Sequence, residues 1–166
     1  MQSIVRRISV VFLLALALSA CGYQLRGVAD LSFKNLYIQG APLSISKDLK
    51  KSLKTNGIQI VDSAEQAELL LELLSEANEK RILSLSGTGV VREYELNYRA
   101  SFRTRAPASP TWSAPQTVQT RRSFSYNDTD LLGKGDEEAM LNLDMHKDAV
   151  RELMRRLTAI KPAAEQ

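Results

Sequence analysis

Apolar positions along the chain fall into three patterns: one unbroken run, a series of alternating stretches, and a helical stripe. The unbroken run is residues 8–20 (ISVVFLLALALSA), preceded by Arg6 and Arg7. A positive start followed by a short apolar segment is the layout of a secretory signal peptide, and the run falls short of the roughly 20 residues that span a bilayer. Residues 1–20 are therefore expected to be removed. Residues 21–31 hold Gly22 and Gly27 and little periodicity, which predicts an irregular leader. Residues 32–39 (SFKNLYIQ) set Phe33, Asn35, Tyr37 and Gln39 on one side and Leu36 and Ile38 on the other, a strand ended by Gly40 and Pro42. A helix capped by Ser44 or Ser46 follows, with Ile45, Leu49 and Leu53 on one face and Gly57 as its stop. Residues 58–61 (IQIV) form the next strand, and a strand–helix–strand unit of this length suggests a parallel crossover.

The alternation is less clean over residues 68–85. Leu69, Leu71, Leu73, Ser75 and Ala77 share a parity that Leu70 and Leu74 blur, and a helix competes with a strand there. After the turn at residues 86–89 (SGTG), Tyr94, Leu96, Tyr98, Ala100 and Phe102 face one way, and Glu93, Glu95, Asn97, Arg99, Ser101, Arg103 and Arg105 the other. Residues 106–115 hold three prolines and read as a loop. Residues 116–126 return as a strand with Val118, Thr120, Arg122, Phe124 and Tyr126 on one side. Arg122 is out of place on that face; it snorkels at the edge or pairs with a carboxylate. Residues 127–135 (NDTDLLGKG) read as a polar loop. Asp136, Glu137 and Glu138 then open a helix at the end where its dipole favours acids. Its apolar face is expected to be Ala139, Leu143, His146, Val150, Leu153, Leu157 and Ile160, ending near Pro162.

The order β-α-β-β-β-β-α predicts an α+β fold: two helices packed on one face of a mixed, mostly antiparallel sheet. The expected organisation is a signal peptide (1–20), a lipid-anchored leader (21–31), one α+β domain (32–161) and a frayed tail (162–166). The chain has 166 residues, 44% hydrophobic and 25% charged, which suits a single globular domain. Loss of Arg6 and Arg7 takes Lys+Arg from 22 to 20 against 19 acids, so the charge argument for nucleic-acid binding disappears. Lys47, Lys50, Lys51 and Lys54 lie off the apolar face of the first helix, as a solvated surface or a contact for anionic lipid.

One cysteine excludes an intramolecular disulfide and a cysteine-based zinc site. Leu18-Ser19-Ala20-Cys21 directly follows the apolar run and resembles a bacterial lipobox. The resemblance implies cleavage before Cys21, a diacylglyceryl group on its sulfur and an acyl chain on its amine; no other cofactor and no metal are expected. Two or more chains hold a protein stably on a bilayer, where one does not. Gly22, rather than Asp, follows the cysteine, which by the same resemblance implies the outer membrane of a Gram-negative cell. Catalysis finds no support: the single His146 lies on a helix stripe, and no nucleophile–base pair or phosphate-binding glycine loop is present.

After the lipobox, Cys21-Gly22-Tyr23-Gln24-Leu25-Arg26-Gly27 resembles the opening of the lipopolysaccharide-assembly lipoproteins (LptE). The likeness continues through Pro42-Leu43-Ser44, Asn56-Gly57, Glu93-Tyr94, Arg122-Ser123-Phe124 and the acidic segment before the last helix. It implies a non-enzymatic partner of the large β-barrel translocon LptD, seated largely inside its lumen as a plug. Such a partner helps the barrel assemble and lipopolysaccharide reach the outer leaflet. It also implies lipopolysaccharide binding by basic residues at one end of the domain. Lys134, in Leu132-Gly133-Lys134-Gly135-Asp136, matches a family lysine. A second family basic residue falls near Gly87, where this chain carries no charge; Arg81 and Arg92 flank the turn, and Arg92 is the candidate. If the two long strands pair across the proline loop, Lys134 and Arg92 lie at one end. The alternatives are a non-catalytic envelope lipoprotein of similar fold with another partner, and a periplasmic hydrolase.

Overall fold

The computed structural model describes residues 31–127 and 131–160. Cys21, the expected signal segment, the expected leader up to residue 30, residues 128–130 of the expected polar loop and the expected tail lie outside the described residues. The elements are β1 (Asn35–Gly40), α1 (Ser46–Thr55), β2 (Gln59–Val61), a 3-10 turn (Ala64–Gln66), β3 (Leu69–Leu85), β4 (Val91–Arg105), β5 (Gln116–Ser125) and α2 (Leu131–Thr158). The α+β class and the order of elements follow the sequence pattern. The sheet order is β2-β1-β3-β4-β5. β1 pairs in parallel with β2 and β3, while β3–β4 and β4–β5 are antiparallel. The segment whose parity was blurred is a strand of 17 residues.

Both helices and the inner sheet face close on one apolar cluster. Leu36, Leu71, Leu73, Leu96, Tyr98, Phe102 and Val118 come from the sheet, Leu49 and Leu53 from α1, and Met145, Ala149, Leu153 and Leu157 from α2. The predicted inward set of β4 is borne out at Leu96, Tyr98, Ala100 and Phe102, all buried. The other face of β3 and β4 is a lattice of charge: Glu72 pairs with Arg103, Glu79 with Arg99, and Arg81 with Glu95 at 2.6 Å.

Gly57 does end α1 in the left-handed region, at φ +80. The Ile58 N–H reaches Leu53 O and the Gly57 N–H reaches Lys54 O, both at 3.0 Å, the paired bonds of a Schellman close. The start of α1 differs from expectation. Neither serine caps it with its side chain; the N-cap is Ile45. Glu76 of β3 instead accepts the Ser44 N–H at 2.6 Å and the Ser44 hydroxyl. A carboxylate supplied across the fold thus answers the positive end of the helix.

Three further expectations are corrected. Ser75 and Ala77 do not continue the inward parity of Leu69, Leu71 and Leu73. A bulge leaves Leu74 unpaired between Leu73↔Phe102 and Ser75↔Ser101. One extra residue flips the side chains that follow as far as the next irregularity after Ile82, so Glu76, Asn78, Lys80 and Ile82 share the face of Ala100, Tyr98, Leu96 and Tyr94. The last helix begins at Leu131, not at Asp136, so residues 131–135 are helical. Its buried stripe is Met145, Ala149, Val150, Leu153, Met154 and Leu157, while Leu143 is half exposed and Ala139 exposed. His146 is a boundary residue, its ring 4.5 Å from that of Tyr98. Arg122 resolves as a carboxylate pair, with Asp148.

Candidate functional site

The bulge at Leu74 shapes the far end of the domain. By turning Lys80 inward it sets that amine 4.3 Å from the centre of the Tyr94 ring and 5.5 Å from that of Phe124. Glu138 of α2 completes the contact at 2.5 Å. Two positions earlier, the Asn78 amide donates to Asn142 at 3.1 Å. Tyr94 also meets Phe124 at 5.8 Å and Tyr126 edge-on at 5.1 Å. A cation held over aromatic faces gains from the ring quadrupole, most where water is partly excluded. Sequence reading missed Lys80 because strict alternation sends it to the outer face. The signal was present in Leu74, which broke the parity.

Lys134 and Arg92 lie at this same end of the domain. Glu93 pairs with Ser125, the Tyr126 N–H donates to Arg92 O at 2.8 Å, and the Lys134 amine lies 3.4 Å from Ser125 Oγ. Lys134 is not on an exposed loop, however. It sits in the opening turns of α2, its side chain 19% exposed, and pairs with Glu137 at 2.7 Å one turn on. A helix fixes its Cα, and Glu137 competes for its charge. Arg92 is exposed, and among the described residues its side chain forms no ion pair. Arg81 is taken by Glu95.

Beyond these cations the β3–β4 hairpin carries its apolar residues in the open. Ile82, Leu83, Leu85 and Val90 are each about half exposed. On α2, Met140 is 68% exposed. Apolar side chains concentrated on one projecting hairpin mark a contact surface more than chance scatter does. The hairpin end thus offers cations, aromatic rings and bare aliphatic groups together. That set matches an amphiphile carrying both negative charge and hydrocarbon. Among the described residues no group of His, Cys, Asp and Glu could hold a metal ion. Among them, too, no helix is long and apolar enough to cross a membrane.

Fold and site together define a small mixed-sheet domain with one polar sheet face uncovered and an amphiphilic hairpin end. The family model described as LptE, lipopolysaccharide-assembly, matches residues 32–157. The chain belongs to that family. The LPS-assembly lipoprotein LptE of Photorhabdus laumondii is 25% identical over 158 residues, covering 93% of this chain and 86% of the relative. Its namesake from Yersinia pestis is 24% identical over 91% of this chain and 74% of the relative. Among solved structures, lipoprotein B from Nitrosomonas europaea superposes with a TM-score of 0.73 at 38% identity, over 83% of this chain and 91% of that one. Rare lipoprotein B from Shewanella oneidensis gives 0.68 at 25% identity, over 76% and 95%.

Proposed function

We propose that this chain is a non-catalytic outer-membrane lipoprotein, tethered through acylated Cys21. In this reading it partners and plugs the LptD barrel, assists its assembly, and helps deliver lipopolysaccharide to the outer leaflet. Membership of the lipopolysaccharide-assembly family over residues 32–157 carries the reading. Two features of the domain support it. The uncovered face of β3 and β4 bears ordered ion pairs rather than apolar groups, which suits the polar interior of a large barrel. The hairpin end brings Arg92 and Lys134 near bare aliphatic side chains, as a phosphorylated, multiply acylated lipid requires. Arg92 meets a phosphate directly, while Lys134 exchanges Glu137 for one.

Affinity capture of this protein from solubilised outer membranes should bring down a large β-barrel in equal amount, and recovery without any barrel would end the plug reading. Lys134→Asp should weaken lipopolysaccharide binding about tenfold or more, since a charge-assisted bond is worth roughly 1.5–3 kcal/mol. Unchanged binding would remove Lys134 from the site.

A further inference from the structure

The end of the domain opposite the hairpin holds a cleft of about 720 Å³ between the proline loop, the stretch around Ser32 and Phe33, and Ile160. Phe33, Leu69, Pro107, Trp112 and Ile160 form its apolar walls. The volume lies within the range of small-ligand pockets. Beside it the Ser32 hydroxyl donates to Ile160 O at 2.7 Å. Among the described residues Arg105 brings the one cationic group of the lining. Its guanidinium lies 5.3 Å from the centre of the Trp112 ring, and Nη1 donates to Ser109 O at 2.9 Å. Its Nε is shut off from water and has no hydrogen-bond partner among the described residues. Arg103 faces the same indole at 4.9 Å but is committed to Glu72. The one acid among the described residues of the lining, Glu68, accepts the Lys34 N–H at 2.7 Å.

We propose that this cleft holds one hydrocarbon chain of an anionic lipid from the surrounding membrane, with the acidic head group on Arg105. An apolar trough suits an alkyl chain, and a guanidinium at its wall with no carboxylate partner among the described residues suits the head. The tether proposed at Cys21 supplies the lipid. Positions 22–31 span at most about 35 Å when extended, which keeps the cleft within that distance of the bilayer surface. The inference rests on the lipoprotein reading for this nearness alone.

Trp112 is the only tryptophan of the chain and stands in the cleft wall, so its fluorescence reports occupancy. The purified full chain is titrated with dibromostearate, whose bromines quench indole on contact. The titration is done in phosphatidylcholine nanodiscs where intact mass shows an acylated Cys21, and in buffer where it does not. Failure of the tether is therefore read by mass and failure of the cleft by quenching. Saturable quenching at one chain per protein is expected. Arg105→Gln should raise the half-quenching concentration about tenfold, the scale of a lost charge-assisted bond, and the uncharged methyl ester should show the same deficit. Ala108→Phe, at an exposed position of the lining, should abolish saturation by filling the trough. Non-saturating quenching that neither substitution alters means that Trp112 merely dips into lipid, and overturns the proposal. Quenching that appears only when the protein's own acyl groups are absent would give the cleft to those groups and overturn it equally.

Discussion

Removing the charge of Glu76 isolates the contact that fastens α1 to the sheet. Burial pushes this carboxyl up, but bonds from the Ser44 hydroxyl and N–H, with smaller help from Tyr98 and His146, outweigh it and leave the group below its ordinary value of 4.5. Each charge-assisted bond is worth roughly 1.5–3 kcal/mol in isolation; two bonds to one residue at a partly open site do not add fully, which leaves about 2 kcal/mol. Glu76→Gln keeps the shape and one acceptor and should lose about half of that; Glu76→Ala should lose all of it. For a domain of this size roughly 4 °C per kcal/mol applies, so the alanine variant should melt about 8 °C lower at pH 7. The pH dependence has a fixed sign. A carboxyl whose folded value lies below its unfolded one stabilises fully above pH 4.5, and its contribution fades as pH falls through the folded value. Other carboxyls contribute to the acid limb as well. Arg103 holds Glu72 low, and Arg151 and Arg122 hold Asp148 low. The informative quantity is therefore the difference between wild type and Glu76→Gln, followed by thermal unfolding from pH 7 to pH 3. That difference should shrink toward zero across the acid limb. A constant difference at all pH values, or none at pH 7, would refute the idea that the ionised carboxylate clamps the helix.

Two substitutions test the packing more directly. Gly40 sits at φ +99, and a Cβ there would lie 2.1 Å from Leu73 O, so Gly40→Ala should cost about 3 kcal/mol or more in chemical denaturation; a loss under about 1 kcal/mol would show that β1 and β3 can separate freely. Leu153→Ala should cost about 2–5 kcal/mol, whereas Leu143→Ala, half exposed, should change stability by under about 0.5 kcal/mol; equal losses would contradict the stripe along α2.

Much of the architecture was legible because β4 alternates without a break and Gly57 marks a helix stop. The residues that misled share one cause: local pattern admitted two answers and tertiary packing chose. Between residues 139 and 146, Ala139, Leu141, Leu143 and Met145 allow more than one apolar arc, and contact with the sheet selects the arc of Met145 and Ala149. Gly133 and Gly135 suggested a loop, yet residues 131–135 continue α2, since propensity is a weak prior against a helix already docked. The bulge at Leu74 had only a trace in the sequence, and it decides that Lys80 enters the hairpin-end cluster. For the candidate site, pairing of the two long strands was enough to place Arg92 near Lys134. The partner of Lys134 was not foreseen, because Glu137 lies one turn away only once the helix extends back past it.

The long axis of the domain gives the proposed arrangement a physical scale. β3 has 17 residues, and at about 3.3 Å per residue it reaches roughly 55 Å, somewhat less where its bulges bend it. A bilayer with its head groups is about 40–45 Å thick. Ser32 and Ile160 lie at one end of this strand, and the turn at residues 86–89 lies at the other. In the proposed arrangement a lipid tether at Cys21 would hold that end toward one membrane face, with the cleft beside Trp112. If the sheet then stands lengthwise inside a barrel, the hairpin end with Arg92 and Lys134 arrives at the opposite face. Length and charge placement thus fit the proposed arrangement without any large internal movement. Shortening both strands of the hairpin by two residues each would keep the register and the core contacts below, yet withdraw the tip by about 7 Å.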